Sequence, residues 1–350
     1  MNRRLLSAVT ILLILIGVVL FADVVAPYSS AEQDREHFFA PPTRLHFRDQ
    51  QGIWHVRPFV YQSSLVDRAQ MTYVEATGQS FPVRFFVPSE SYDIAGLIPC
   101  RTRLFGVDAP AKVFLFGSDG LGRDVFSRLL MGTRLSLSIA FGALLISIPL
   151  ALVIGSLAGY YGGRIDFVCM RLVELFLALP ALYLVIALRS ALPLNIPAEG
   201  IALALIAVLS LFGWAALARI VRGMVLSLRE RQFVDAAIAM GASDWRVLSR
   251  HVFPQLVGFT LIQAAIAAPG FVLAEVTLSY LGLGIQEPAS SWGSMLASAR
   301  DLQLVILYWW NLAPAVAIIV VSLTCHVLAE GLRQWANPRT RKLTPLREAF

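Results

Sequence analysis

Long runs of apolar residues are the feature that most constrains this chain. A helix that crosses the hydrocarbon core of a membrane needs about 20 mostly apolar residues. Six runs of this kind stand out in the sequence, at residues 5–26, 135–159, 172–192, 200–218, 256–281 and 309–329. The third is the weakest, because Glu174 and Arg189 flank a shorter uncharged core. With 57% hydrophobic and 15% charged residues, the chain is predicted to be an all-α integral membrane protein with six transmembrane helices.

The first run follows the short basic stretch MNRR, as a secretory signal would. Its uncharged core from Leu5 to Ala22 exceeds the roughly 7–15 apolar residues of a signal peptide. Pro27 follows the small-residue position at which cleavage would occur. We therefore predict that residues 1–26 form an uncleaved N-terminal transmembrane helix.

Positive charge is distributed unevenly among the short loops between the runs. Most of it follows runs two, four and six, at Arg164, Arg171, Arg219, Arg222, Arg229, Arg231, Arg246, Arg250, Arg333, Arg339, Arg341 and Lys342. The loops on the opposite side hold little beyond Glu199, Glu287, Arg300 and Asp301. Because arginine and lysine accumulate in cytoplasmic loops, we predict a multi-pass protein of the inner membrane with both termini in the cytoplasm. The net charge of +6 follows from this topology and does not indicate a nucleic-acid partner.

Residues 27–133 interrupt the pattern of apolar runs. The segment is polar and too long for a simple connection, and by the topology above it lies outside the membrane. Stretches rich in Val, Phe and Tyr, which are typical of strands, occur at residues 54–61, 81–87 and 112–116. We expect a small β-containing extracytoplasmic insertion between helices 1 and 2, then a membrane core over 134–331 and a cytoplasmic tail over 332–350.

A coupling segment at residues 233–254, FVDAAIAMGASDWRVLSRHVFP, is predicted to form two short amphipathic helices with a bend between them. The apolar positions of the first helix are Phe233, Ala236, Ala237 and Met240, and those of the second are Trp245, Val247, Leu248 and Val252. On physical grounds alone, an ordinary interfacial loop is an equal alternative.

The bend in the coupling segment is expected at Gly241, which adopts a left-handed C-cap at little cost. Ser243 or Asp244 is expected to cap the second helix. Pro254 is expected to end the unit at the membrane edge.

The order of residues in the coupling segment resembles the E-A-A-x3-G-x9-I-x-L-P motif of permease subunits in ATP-binding-cassette (ABC) importers. It is most similar to the C-type permeases of peptide and nickel importers, which carry G-A-S-D and then R-H-x-x-P. Asp235 stands where the family has glutamate, which keeps the charge and shortens the side chain. The resemblance implies that the residues coupling the membrane helices to an ATPase are Asp235, Ala236, Ala237, Gly241, Asp244, Arg250, His251 and Pro254.

Three further stretches are similar to the same family. The G-T-D-x-L-G-R-D-x-x-S-R signature that precedes the membrane core is matched at Asp119, Gly122, Arg123, Asp124, Ser127 and Arg128. Residues 278–293 resemble L-S-F-L-G-L-G followed by P-x-x-S-W-G, and residues 330–339 resemble D-G-L-R followed by D-P-R. Together the matches extend over residues 116–340.

The sequence contains no constellation typical of an enzyme. Lys112 and Lys342 are the only lysines, and neither ends the G-x-x-x-x-G-K-[ST] pattern of a Walker A site. Neither an H-E-x-x-H zinc motif nor a G-x-S-x-G nucleophile elbow occurs. His46 and His55 have no partner at ligand spacing. We therefore predict no catalytic site, no metal and no cofactor.

Five residues are assigned to the translocation path or its outer gate: Glu275, Asp119, Arg123, Asp124 and Trp292. Glu275 follows a long uncharged stretch of the fifth run, and an ionisable group at such depth usually faces a bundle interior or a watery path. It is interpreted either as a structural carboxylate or as a lining residue of the path. Trp292 is either an anchor for an external binding protein or a member of the aromatic belt.

The resemblance implies a type I ABC-importer (MetI-like) core and the function of a permease subunit. Such a subunit pairs with a homologous B-type permease, two cytoplasmic ABC ATPases and an extracytoplasmic solute-binding protein. The subunit itself also contacts membrane lipid. The implied solute is a di- or oligopeptide, with nickel or another small solute as the alternative. A secondary transporter driven through Glu275 and a membrane receptor or anchor are the alternatives from other classes, and neither requires a coupling segment.

Overall fold

The chain forms two compact units in a computed structural model that describes residues 3–336 except 69, 95–97, 181, 182, 184, 188–192, 194 and 195. The β unit comprises Leu13–Leu137 and Val276–Ile319. The helical unit comprises Met1–Leu12, Ser138–Glu275 and Val320–Phe350.

Most of the described chain is helical. The helices are α1 (Arg3–Val25), α2 (Val125–Tyr161), α3 (Gly163–Ala178), α4 (Ala198–Arg229), α5 (Gln232–Ala239), α6 (Asp244–Val247), α7 (Phe253–Tyr280), α8 (Trp292–Ala297), α9 (Leu302–Leu307) and α10 (Ala313–Ala336). A π turn at Leu248–Val252 joins α6 to α7, and a 3-10 turn at Trp309–Leu312 precedes α10.

Five helices among the described residues are long and apolar enough to cross a membrane. Their candidate spans are Leu6–Val25, Val125–Tyr161, Ala198–Arg229, Asp244–Tyr280 and Trp309–Trp335. The third predicted run, at residues 172–192, begins within α3 but extends beyond the described residues, as does Arg189. The count of six therefore stays a prediction. Residues 125–133 of the predicted insertion are helical, because α2 begins at Val125, and they belong to the same compact unit as the strands. The bounds of the insertion at residues 27–133 stay a prediction.

The strands of the β unit form two antiparallel sheets. β1 (His46–Arg48), β2 (Trp54–Asp67) and β3 (Thr72–Pro82) make one sheet in that order. β4 (Arg84–Ile94) and β5 (Ile98–Gly106) pair as a separate hairpin. The buried centre beneath the strands contains Val60, Phe81, Val83, Ala111 and Val113. The predicted strand region at 54–61 falls within β2, and that at 81–87 covers the end of β3 and the start of β4, with Val83 between them.

The predicted strand at residues 112–116 is wrong. Val113 and Phe114 are buried, which explains their apolar character. Their backbone groups, however, form hydrogen bonds with residues that do not belong to a strand. The Val113 amide donates to the Tyr28 hydroxyl at 2.9 Å. Thr43 receives the Phe114 amide on its hydroxyl and donates its own amide to the Phe114 carbonyl, at 2.9 and 2.8 Å. Composition alone does not distinguish such a buried extended loop from a strand.

The helical unit is held together by small residues and one large aromatic ring. Its buried centre consists of Ala151 of α2, Val173 of α3, and Trp214, Ala215 and Ala218 of α4. Side chains as small as alanine let helix backbones approach closely, which is the main source of helix association in lipid.

Two glycines of α2 allow the closest of these approaches. A Cβ atom at Gly155 would lie 2.5 Å from the carbonyl oxygen of Ala218, and one at Gly159 would lie 2.8 Å from that of Arg222. No side chain fits at either distance, so the G-x-x-x-G spacing sets the contact between α2 and α4.

Candidate functional site

Gly241 forms the bend of the coupling segment, as predicted. Its φ is +79°, in the left-handed region. The amide of Gly241 donates to the carbonyl of Ile238 at 2.8 Å, and the amide of Ala242 donates to that of Ala237 at 3.0 Å. These two bonds make a Schellman motif, which satisfies carbonyls left unpaired at the end of α5.

One face of the coupling segment is buried in the helical unit. The buried side chains of the segment are Val234, Ala237, Val247, Leu248 and Val252, and they pack with Tyr160, Val221, Val225 and Leu256. Since Tyr160 lies in the last turn of α2, Val225 in the last turns of α4 and Leu256 in α7, the segment is attached to three helices.

The predicted apolar faces are partly wrong. Ala236 is exposed, Met240 is 82% exposed and Trp245 is 71% exposed. The buried stripe of α5 instead contains Val234 and Ala237, which are three residues apart. A helix of two turns has too few apolar positions to decide which of two neighbouring stripes is buried, because stripes one residue apart differ by only about 100° of rotation.

Asp244 attaches the second helix through its side chain. Ser243 stands at the N-cap position but forms no side-chain cap bond. The Asp244 carboxylate accepts a hydrogen bond from the Tyr160 hydroxyl at 3.0 Å. Arg229 donates to the Tyr160 carbonyl at 2.8 Å. The expected capping role is thus replaced by a link between α6 and the end of α2.

Pro254 does not end the coupling segment. The helical path continues from Asp244 to Tyr280, and the π turn ends at Val252, two residues before the proline. The Phe253 amide donates to the carbonyl of Leu248. A proline supplies no amide for an α-helical bond, and the wider turn accommodates this loss without breaking the helix.

The other face of the coupling segment is open. Of the predicted coupling residues, Ala237 is buried and His251 is partly buried, with its ring 6.4 Å from that of Phe233. The remaining ones are exposed: Asp235, Ala236, Gly241, Asp244, Arg250 and Pro254. They share this face with the apolar side chains of Ile238, Met240 and Trp245. Large exposed apolar side chains bordered by charges are typical of a surface that binds another protein.

A second group of predicted residues lies in the β unit, in the turn that leads into α2. The Asp119 carboxylate folds this turn by accepting the amides of Leu121 and Arg123 at 2.8 and 3.0 Å. Gly122 has a φ of +72°, and a Cβ atom there would lie 1.9 Å from the carbonyl oxygen of Asp34. Only glycine fits this position.

Arg123 and Arg128 share two carboxylates. Nε of Arg123 lies 2.8 Å from Oδ2 of Asp119, and Nε of Arg128 lies 3.5 Å from the same atom. Both guanidinium groups also donate to Glu287, with Arg128 Nη2 at 2.8 Å and Arg123 Nη2 at 3.1 Å from Oε1. The arginine side chains are only 1% and 5% exposed. We call Asp119, Arg123, Arg128 and Glu287 the polar cluster.

Glu287 is the member of the polar cluster that the sequence did not reveal as a site residue. Burial favours a raised pKa for this carboxyl group, but hydrogen bonds from Arg123 and Arg128 outweigh it and lower the pKa. The group is therefore ionised and balances the arginines. One sequence feature could have identified Glu287 as a site residue: it is one of few charged residues in the loops opposite the arginine-rich side.

Asp124 caps the start of α2. Its Oδ2 accepts the amide and the hydroxyl of Ser127 at 2.9 and 2.6 Å. Its Oδ1 is buried with no hydrogen-bond partner among the residues described. Burial raises the pKa of Asp124 to about 6, so the cap is a buried carboxyl group that titrates near neutral pH.

Trp292 is fully buried, so the expectation that it is a docking anchor is wrong, and so is the aromatic-belt alternative. Its indole nitrogen donates to the Thr133 hydroxyl at 3.2 Å, and its amide donates to the Ser136 hydroxyl at 3.1 Å. Ser291 and Ser294 cap α8 reciprocally. Trp292 therefore fixes α8 against α2 within the β unit.

Glu275 lies in α7 of the helical unit and is fully buried. Its burial excludes direct exposure to lipid. The structural role and the path-lining role both stay predictions.

A cavity of about 310 Å³ lies beside the polar cluster in the β unit. Arg123 and Glu287 form its charged border, and its apolar lining includes Leu121, Ala297 and Leu304.

The sequence is similar to a family of membrane transport proteins. Residues 151–342 match the family described as "Binding-protein-dependent transport system inner membrane component". The oligopeptide transport system permease protein OppC of Bacillus subtilis is 36% identical over 243 residues, which are 69% of this chain and 77% of that protein. The dipeptide transport system permease protein DppC of the same organism is 39% identical over 236 residues, covering 67% and 71%.

Two other similar proteins extend the comparison. The glutathione transport system permease protein GsiD of Pectobacterium atrosepticum is 36% identical over 234 residues, covering 67% of this chain and 75% of that protein. A chain of the inward-facing MetNI methionine ABC transporter superposes with a TM-score of 0.45 at 14% identity, covering 58% of this chain and 95% of that one. This last likeness is too weak to assign a fold.

Proposed function

Because this chain belongs to the family of binding-protein-dependent transport system inner membrane components, we propose that it is the permease subunit of an ATP-driven peptide importer. Relatives named as oligopeptide, dipeptide and glutathione transport permeases support a peptide as the solute. The subunit hydrolyses no ATP itself, since it lacks a Walker A lysine.

In this proposal the chain crosses the inner membrane six times with a type I core. Five long apolar helices among the described residues support the count, and the sixth span lies within residues 172–192. Both termini are cytoplasmic, and residues 27–133 lie outside. The chain assembles with a homologous B-type permease, two cytoplasmic ABC ATPases and an extracytoplasmic solute-binding protein.

The observation that carries the proposal is the two-faced coupling segment. Its buried face joins the ends of α2 and α4, and its exposed face presents Ile238, Met240 and Trp245. An ATPase groove that binds this exposed face moves the segment as a rigid body. The Schellman motif fixes the bend between α5 and α6, and the Asp244–Tyr160 bond attaches α6 to the end of α2.

Movement of the coupling segment passes directly into the membrane helices. The helical path from Asp244 through the π turn into α7 is continuous, so a displaced α6 carries α7 with it. Closure of the ATPase dimer on ATP thereby switches the bundle between inward- and outward-facing states. Glu275, buried in α7, is a candidate lining residue of the path that this switch opens.

The solute-binding protein docks on the opposite side, on the outer segment together with the loop at residues 284–301. The cavity beside Arg123 and Glu287 supports this face as the receiving one. The side chain of Glu287 is 43% exposed, so a carboxylate borders the cavity where an incoming chain makes contact.

The proposal is tested with Gly241→Val in the assembled transporter. A β-branched residue rarely adopts a positive φ, so the variant should insert into the membrane yet lose ATP hydrolysis stimulated by the binding protein and peptide. Gly258→Val in α7 is the matched control, because a Cβ atom there meets nothing within 4 Å and the backbone is helical. Stimulation of Gly241→Val at the level of Gly258→Val would contradict the coupling role.

The composition of the complex is tested by affinity capture of the tagged chain from membranes. Two ATPases and a second permease should be recovered together with it. Recovery of the chain without any ATPase would contradict the importer and would favour a secondary transporter or a receptor.

A further inference from the structure

Hairpin β4–β5 presents large apolar side chains to its surroundings. Its two strands pair with each other and with no other strand in the described part of the chain. Phe85, Phe86 and Ile98 are 64%, 70% and 62% exposed. Exposed apolar side chains also occur on and beside the three-stranded sheet, at Ile53, Trp54 and Val56, so exposure alone does not distinguish the hairpin. Its attachment to a membrane-spanning helix does.

Strand β5 is attached to the end of a membrane-spanning helix. Arg103 donates from Nη1 to the carbonyl oxygen of Ala26 at 2.9 Å, directly after α1 ends at Val25. Carbonyls at the end of a helix lack helical partners and carry partial negative charge. The bond therefore holds β5 at the level where the α1 span leaves the membrane.

A second attachment lies at the same level. The ring of Phe105 is 6.3 Å from that of Phe126, which lies in the first turn of α2 and packs against Ala22 and Ala26. The start of α2 and the end of α1 are thus side by side, and β5 contacts both.

The pairing register shows how the exposed residues relate to these attachments. Phe85 pairs with Phe105, and Val87 pairs with Arg103. Residues directly opposite in an antiparallel pair share one face, so Phe85 lies on the face that carries both attachments. Phe86 has a φ of +57°, a conformation that a bulky residue adopts only under constraint.

From this geometry we propose that hairpin β4–β5 is an interfacial anchor. Phe85, Phe86 and Ile98 lie in the headgroup layer of the leaflet at which α1 ends, and the exposed Arg101 reaches lipid phosphates. Aromatic rings are favoured in this layer, and arginine extends its charge from it toward phosphate. The inference rests on the membrane location of the chain and is independent of the transported solute.

The test is site-specific fluorescence quenching in lipid nanodiscs. The full-length chain, with Cys100→Ser, Cys169→Ser and Cys325→Ser, receives one cysteine by Phe86→Cys or Ile98→Cys, which is labelled with a small environment-sensitive dye. Val56→Cys is the matched control, because Val56 is 99% exposed on β2 of the other sheet. The lipids carry a nitroxide at the headgroup or along the acyl chain.

Headgroup nitroxide should quench the dye at positions 86 and 98 at least about three-fold more than at position 56, as expected for a segment held in the interfacial layer. Equal quenching at all three positions would overturn the proposal. Shielding at position 98 that arises only when partner subunits are added would also overturn it, in favour of a protein contact. The Ile98 variant keeps the test decisive if the strained Phe86 position does not tolerate cysteine. Neither readout depends on transport or ATP hydrolysis, so this inference and the proposed function fail separately.

Discussion

The coupling segment and the polar cluster were both selected from sequence motifs, yet they are built in opposite ways. The coupling segment is formed by residues close together in the chain, and most of its motif residues face outward. The polar cluster joins Arg123 and Arg128 to Glu287, which lies 164 and 159 positions away. Its arginines are almost entirely buried.

This difference separates two reasons for which a motif residue is needed. An exposed motif residue that contributes little to packing is needed by a partner. A buried one is needed by the fold of its own unit. Substitutions in the polar cluster should therefore reduce stability first, whereas substitutions on the open face of the coupling segment should reduce coupling and leave stability unchanged.

The largest expected effect is that of Trp292→Ala. Removing a fully buried indole should lower the free energy of unfolding by roughly 3–5 kcal/mol. Thermal unfolding of the purified chain in detergent measures the loss. Thr133→Val, which keeps the indole but removes the acceptor of its N–H and the hydroxyl bond to the Leu129 carbonyl, should cost about 1 kcal/mol. A wild-type melting temperature for Trp292→Ala would contradict the claim that buried motif residues of the β unit are needed for its stability.

A pH-dependent effect of similar size is expected at Asp124. Burial raises its pKa from 3.8 to about 6 in the folded chain, so between these values the folded state holds a proton that the unfolded state has lost. The free energy of unfolding therefore falls as pH rises from about 4 to about 6, by roughly 3 kcal/mol in total.

Asp124→Asn keeps an N-cap acceptor and should remove this dependence. The measurement is the difference in melting temperature between wild type and variant at pH 4, 5, 6 and 7, with wild type gaining relative stability at acidic pH. Asp93→Asn on exposed β4 is the control. A difference that is constant across this range would show that folding does not change the pKa of Asp124.

Glu287→Gln should have a smaller effect on stability. It removes the charge shared by two buried guanidinium groups, which costs 3–5 kcal/mol for fully buried pairs. Since the Glu287 side chain is 43% exposed, water compensates in part, and we expect about 2 kcal/mol. Chemical denaturation compared with Glu90→Gln, an exposed glutamate of β4, measures the loss. Equal stability of the two variants would mean that Asp119 alone balances the arginines.

The smallest expected change in stability is that of Trp245→Ala, at most about 0.5 kcal/mol, because the side chain is 71% exposed. Its effect should instead be weaker recovery of the ATPases with the tagged chain. Trp335→Ala at the end of α10, where the indole is 70% exposed, serves as the control. A drop in melting temperature with normal ATPase recovery would reverse the assignment of the coupling segment.

Features that depend on neighbouring residues were predictable from the sequence. The left-handed bend at Gly241 needed only one glycine after a helical stretch. The apolar spans needed only length and composition. The phase of α5 was set wrongly because two turns carry too little periodicity to distinguish Ala236 from Val234 as the buried position.

Features that depend on distant partners were not predictable from one sequence. Trp292 looked like an exposed anchor because its partners, Thr133 and Ser136, lie 159 and 156 positions away. Glu287 was not identified as a site residue because its partners, Arg123 and Arg128, are equally distant in the sequence. Residues 112–116 have the composition of a strand, but their backbone binds Tyr28 and Thr43, which are 85 and 71 positions away, and no local pattern reveals these partners.

The π turn at Leu248–Val252 also determines an angle. An α-helix rotates by about 100° per residue, and a π turn contains one residue more than the α-helical path requires. Deleting one residue there would restore uniform geometry and turn the face that carries Trp245 by about 100° around the axis of α7. The extra residue of the π turn therefore sets the rotational position of α6 about the axis of α7. That position determines the direction in which a displacement of α6 tilts the spanning helix α7.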